Sequence, residues 1–112
     1  MSEKDYALLS LMLETIEKIF LFTSDLSGAD EFEKDIESFD ASFLNFITLG
    51  ACISKISIEL RNSNPQIEWS KIYAFRNVIA HDYFGILPEE VWEIIKKDLP
   101  KLKQDILNLC GK

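Results

Sequence analysis

Ala74-Phe75-Arg76-Asn77-Val78-Ile79-Ala80-His81-Asp82-Tyr83-Phe84-Gly85 is the stretch that decides how this chain folds. It holds the single histidine of the protein, and it sets a fixed cation, an amide, an imidazole, a carboxylate and a phenol between Arg76 and Tyr83. Apolar Val78, Ile79 and Ala80 lie among these groups, so the segment has to be anchored in a core, as a helix. At about 100° per residue, Arg76 and Tyr83 fall on almost the same face, while Asn77 and His81, at i and i+4, share another. Arg76 and His81 then differ by about 140°. Within one unbroken helix they do not converge on one small group. Two arrangements bring them together: a helix that ends near Ala80 or His81 and swings the imidazole round, or a symmetric dimer whose two motifs share a cleft.

Working outward, this third helix should begin near Glu68, carry Trp69, Ile72, Tyr73, Val78 and Ile79 inward, and fray around His81 before Gly85 and Pro88. Pro88, Glu89 and Glu90 suit the first turn of a last helix. Its core stripe is Val91, Ile95, Leu99, Leu102, Ile106 and Leu109, with a kink or split expected near Asp98 because Pro100 lacks a backbone donor. Towards the N-terminus, Leu9, Met12, Leu13, Ile16, Ile19 and Phe20 mark a helix from Asp5 to about Asp25. Leu8, Leu11 and Phe22 widen its stripe enough for a helix that is central or shared with another subunit. Ser27-Gly28 should stop it, with Gly28 left-handed. Asp30 and Glu33 have capping-box spacing, so a short acidic helix or helix-loop is expected from Asp30 to Asp40, with Phe32, Ile36 and Phe39 inward. A second long helix is expected from about Asp40 to Arg61 on the stripe Phe46, Leu49, Ile53, Ile56 and Leu60. Gly50 inside it points to close approach by another backbone, and Asn62-Ser63-Asn64-Pro65 ends it. No strand-period alternation occurs. The pattern is all-α, a bundle of four main helices.

A chain of 112 residues is one domain, residues 1–112, by the usual size prior. With 47% hydrophobic and 28% charged residues, a disordered chain is excluded. The net charge of −7 excludes a generally basic nucleic-acid coat, so any RNA contact must be local. An acidic surface equally suits a basic protein partner. Lys96, Lys97, Lys101 and Lys103 form the one basic cluster, either a solvated face or a phosphate-attracting edge. Cys52 and Cys110 read as reduced packing thiols of a cytoplasmic protein. No secretory signal opens the chain, and no apolar run of about 18 residues suits a membrane span, so no membrane partner is expected.

The chemistry of the motif suits phosphodiesters. Arginine offers a planar fork of donors to phosphate oxygens, and histidine exchanges protons near neutral pH. RNA carries its own nucleophile, the 2′-hydroxyl, so cleavage needs a base, an acid and charge stabilisation but no metal or other cofactor. Two copies of one histidine across a dimer could supply base and acid. The residues alone also fit a structural role: His81 as a satisfied imidazole, Arg76 paired with Asp82 or a carboxylate elsewhere, Tyr83 as a core ring. One histidine beside Asp82 is too few ligands for a metal, and no phosphate-cradling glycine loop occurs.

Arg76, His81 and Tyr83 stand in the order R-x4-H-x-Y. This resembles the signature of the HepT-like toxins of the HEPN superfamily. Trp69 and Ile72 before it, Phe84-Gly85-Ile86 after it, and then Val91-Trp92, Ile94-Ile95 and Leu99-Pro100-Lys101-Leu102 agree. The match is close from Trp69 to Leu102 and looser from Tyr6 to Leu60. The resemblance implies a HEPN-like, four-to-five-helix up-and-down bundle that forms a homodimer. It also implies a metal-independent endoribonuclease acting as the toxin of a toxin–antitoxin pair. Arg76 and His81 would be the catalytic pair, with Asn77 and Asp82 supporting. Tyr83 would accept AMP from a minimal nucleotidyltransferase antitoxin, and the added bulk and charge would exclude RNA. The other readings of the same sequence are a non-catalytic dimeric helper that binds a nucleotidyltransferase or nucleotide, and a structural helical adaptor.

Overall fold

The computed structural model describes the backbone of residues 1–83 and 88–111, with side chains for all of these except Arg76 and residues 78–83. All regular structure among the described residues is helical, with no strand. They form α1 (Glu3–Thr23), α2 (Ala29–Lys34), α3 (Ile36–Lys55), α4 (Ile58–Ser63) and α5 (Trp69–Tyr83). A last helix follows in three parts: α6 (Pro88–Glu93), a π-helical turn (Ile94–Asp98) and α7 (Leu99–Leu109).

α3 lies between α1 and α5, and α7 returns along α1. The apolar stripes meet there: Leu9, Met12, Ile16 and Ile19 of α1, Phe46, Leu49 and Ile53 of α3, and Leu99, Leu102 and Ile106 of α7 are all buried. Each such side chain contributes roughly 1.5–3 kcal/mol relative to remaining in water. α3 is also long and apolar enough, by length and composition, to cross a membrane, which corrects the expectation that no such run exists. Here its apolar face is covered by α1 and α5.

The boundaries of the middle of the chain differ from the sequence expectation. α3 begins at Ile36, not near Asp40, because Asp35 caps it by accepting from the Ser38 N–H at 3.1 Å. It ends at Lys55, not Arg61. Ser57 starts a separate α4 by accepting from the Leu60 N–H at 3.2 Å. The Asp30/Glu33 capping box does not form. Glu31 instead reaches back to accept from the Ser27 N–H at 2.9 Å, and that bond holds its carboxyl below the ordinary value. Gly28 is extended (φ −176°) and precedes α2, so it is no left-handed stop; among the described residues the left-handed glycine is Gly111 (φ 71°). Ile36, expected inward, is 72% exposed, whereas Phe32 is fully buried and packs tilted on Phe39 and Trp92.

The expected break before Pro100 takes the form of the π-helical turn. Leu99 donates to the Ile94 carbonyl, five residues back, which widens the helix where Pro100 brings no donor. Pro100 then sits in the first turn of α7, where a missing N–H costs little.

Asp5 ties α1 to the junction between α3 and α4. It is buried and accepts from the Ser57 N–H at 3.0 Å and from the Ser57 hydroxyl. Burial pushes its carboxyl up, but the two Ser57 bonds, the Ser2 bond and nearby Lys4 together bring it below the ordinary value. A depressed carboxyl stabilises the fold above its unfolded pKa and loses that contribution as pH falls through the folded value. Asp5→Ala is therefore expected to cost about 1–3 kcal/mol at neutral pH. Denaturant titrations should show the gap to the parent chain narrowing in acid.

Candidate functional site

α5 is fixed at its start and along its inner side. The Trp69 indole N–H donates to the Asn64 carbonyl at 3.1 Å, and Trp69, Ile72 and Phe75 are buried against the rest of the bundle. Tyr73, expected inward, is 37% exposed; Phe75 takes the core position instead. Ile53 and Ser54 of α3 line one groove with Trp69, Ser70 and Tyr73 of α5, so the last turn of α3 meets the first turns of α5 and the two helices run antiparallel.

The helix does not end at Ala80 or His81. It continues through Tyr83, so all of Arg76, Asn77, His81, Asp82 and Tyr83 stand on one continuous element. Gly85, given a part in fraying this helix, lies outside the described residues. Helical geometry then sets the positions. Position 76 is within about 40° of Trp69 and Ile72, both of them buried. Position 81 is about 40° from Asn77, which is exposed. The angle of about 140° between positions 76 and 81 stands, and an end of the helix at Ala80 or His81 is not there to close it. Asn77 is the one residue of the motif whose side chain is described.

The lysine cluster is mostly engaged with protein partners. Lys97 pairs with Glu93 at 3.0 Å, Lys101 with Asp105 at 3.2 Å and Lys103 with Glu17, while Lys96 stands 4.7 Å over the Trp92 ring. That favours the solvated face over the phosphate-attracting edge. Cys52 is buried, and burial raises its thiol above the ordinary value; Cys110 is half-buried, and both are free thiols. The raised value keeps the Cys52 thiol protonated and unreactive. No group of three or more His, Cys, Asp or Glu residues able to hold a metal occurs among the described residues.

Residues 12–109 match the family model described as "Ribonuclease HepT-like". The chain belongs to the HepT-like ribonuclease family. Among its relatives, "Gamma-glutamylcyclotransferase and putative RNase MJ0434" of Methanocaldococcus jannaschii is 33% identical over 90% of this chain and 45% of its own length. The chain thus spans under half of that relative. "Putative RNase MJ1380" of the same organism is 30% identical over 95% of this chain and 97% of its own. "Probable ribonuclease HepT" of Thermococcus cleftensis is 30% identical, with 91% and 90% covered. No solved structure matches significantly.

The helical reading of the HepT-like motif can be checked directly. The 13Cα chemical shifts of residues 79–83 should be helical without a break after Ala80. Random-coil shifts from His81 onward would restore the bent-helix arrangement.

Proposed function

We propose that this protein is a metal-independent endoribonuclease, the toxin of a pair completed by a minimal nucleotidyltransferase. The observation that carries the reading is the family match over residues 12–109, which takes in all of α5. Relatives of nearly the same length are named as ribonucleases, which supports the RNA substrate.

The active form in this reading is a homodimer. One continuous α5 separates positions 76 and 81 by about 140°, so in this reading a second copy completes the site. Leu44 and Ile47, on the outer side of α3, are 64% and 40% exposed. They share a face at three-residue spacing. Because α3 and α5 are antiparallel, this pair lies level with the C-terminal half of α5, where the motif stands. A second copy covering Leu44 and Ile47 would bring its own motif alongside.

In the reaction, one His81 takes the proton from a ribose 2′-hydroxyl, and the oxygen attacks the adjacent phosphorus. The bond to the 5′ oxygen breaks, and the other His81 protonates that leaving oxygen. Arg76 holds the phosphate charge, and Asn77 and Asp82 orient the imidazole. The products are a 2′,3′-cyclic phosphate and a 5′-hydroxyl. For silencing, the Tyr83 phenol attacks the α-phosphorus of ATP on the nucleotidyltransferase and pyrophosphate leaves. The AMP added near Arg76 then repels and blocks RNA.

Arg76→Ala and His81→Ala should each lower RNA cleavage by about 100-fold or more without changing the helical circular dichroism. Tyr83→Phe should keep cleavage and show no AMP mass increment after co-expression with the nucleotidyltransferase. Unmodified protein that forms dimers but cuts none of a varied set of RNAs would refute the enzyme reading. A further variant, Leu44→Glu with Ile47→Glu, should sediment as a monomer and lose cleavage.

A further inference from the structure

Arg61 and Arg76 are the two arginines of the chain, and the motif uses one of them. Arg61, on α4, sits in the groove of about 300 Å³ between the end of α3 and the start of α5, lined also by Ile53, Ser54, Trp69, Ser70 and Tyr73. One of its terminal N–H groups donates to the Ile53 carbonyl at 2.7 Å, which fixes the guanidinium against the end of α3. Among the described residues Arg61 enters no ion pair, and its Nε is buried without a hydrogen-bond partner. In a protein of net charge −7, a held arginine that pairs with no described carboxylate is unusual.

The chemistry of the groove is selective. Among the described residues its lining supplies the Arg61 guanidinium, the hydroxyl-bearing Ser54 and Ser70, and an aromatic ring, Tyr73, that is 37% exposed, with no carboxylate. The more apolar groove on the other side of α5, beside Ala74 and Phe75, carries Glu90 and Glu93, and its one described cation, Lys71, is already paired with Glu68 and Asp98. The Arg61 groove also leads to the motif. Ser70 and Asn77 are two turns apart at nearly the same azimuth, and position 81 follows one turn on, about 40° round. From Tyr73 to position 81 the helix rises about 12 Å, a separation that a few nucleotides of single strand cross.

We propose that Arg61, with Ser70 and Tyr73, forms a subsite for the RNA strand beyond the bond that is cut: the guanidinium takes one backbone phosphate and the tyrosine ring takes a neighbouring base. The subsite rests on the ribonuclease reading, and it explains how an acidic protein holds RNA through a local cation. Arg61 positions the strand; it does not touch the reacting phosphate.

The test compares a dinucleotide substrate with a single strand of about ten nucleotides. Arg61→Gln should raise KM for the longer strand about tenfold, leave its kcat unchanged, and leave dinucleotide cleavage unchanged. The slope of log affinity against log salt for the longer strand should fall by about 0.7, the loss of one phosphate contact, and Arg61→Lys should keep the parent slope. Ser70→Asp, at an exposed position that caps nothing, should weaken long-strand binding in the same way even if Arg61→Gln is poorly folded. Equal losses on both substrates would assign Arg61 to the α3 terminus alone and overturn the subsite. Unchanged long-strand kinetics in both Arg61→Gln and Ser70→Asp would also overturn it while leaving the ribonuclease reading intact. If the parent protein neither binds nor cuts RNA, both fall.

Discussion

The bundle depends on α3 being apolar enough to serve two neighbours at once. Phe46, Leu49 and Ile53 are buried along it, while α1 and α5 pack on either side. A helix in that position needs apolar residues on more than one side, and α3 is long and apolar enough, by length and composition, to cross a membrane. This explains why Leu44 and Ile47 remain outside: the apolar surface exceeds what two neighbours cover. The length of α3 fixes where α5 can lie, and α5 carries the motif.

Most of this architecture was legible in the sequence because periodicity reports burial. Most of the residues that spacing selects in the stripes of α1, α3 and α7 reach the core, while Leu13, Phe20 and Leu109 are only partly buried against it. What escaped was decided by single polar contacts that periodicity does not register. The helix expected to run on to Arg61 divides at Ile56 and Ser57 because the Ser57 hydroxyl caps α4 and Asp5 holds Ser57 from across the bundle. Asp35 likewise captures the start of α3, four to five residues earlier than the acidic run suggests. Tyr73 is exposed because its neighbour two positions on, Phe75, fills the core position.

At the candidate site, the order of Arg76, His81 and Tyr83 was readable and carried the family resemblance, but the local backbone was not. Gly85 and Pro88 suggested an early end to the helix, whereas α5 continues through Tyr83. A helix end depends on tertiary packing as much as on the breakers beyond it, and Trp69, Ile72 and Phe75 anchor α5 right up to the start of the motif. Arg61 gave no sequence signal beyond its scarcity. The groove around it exists only because α4 folds back where a longer α3 was expected.

The π-helical turn between α6 and α7 sets a rotational phase. α6 packs on α2, and α7 packs on α1, so one continuous helix must present apolar residues in two directions. The turn takes up backbone that a regular helix would distribute differently. The π turn holds one residue more than an α turn between the same flanks. Loss of one residue within 94–98 therefore closes it to a regular turn and keeps Leu99, Leu102 and Ile106 near their phase, whereas loss of one residue at the start of α7 rotates everything after it by about 100°. The extra residue is the slack that lets one helix serve two sets of neighbours.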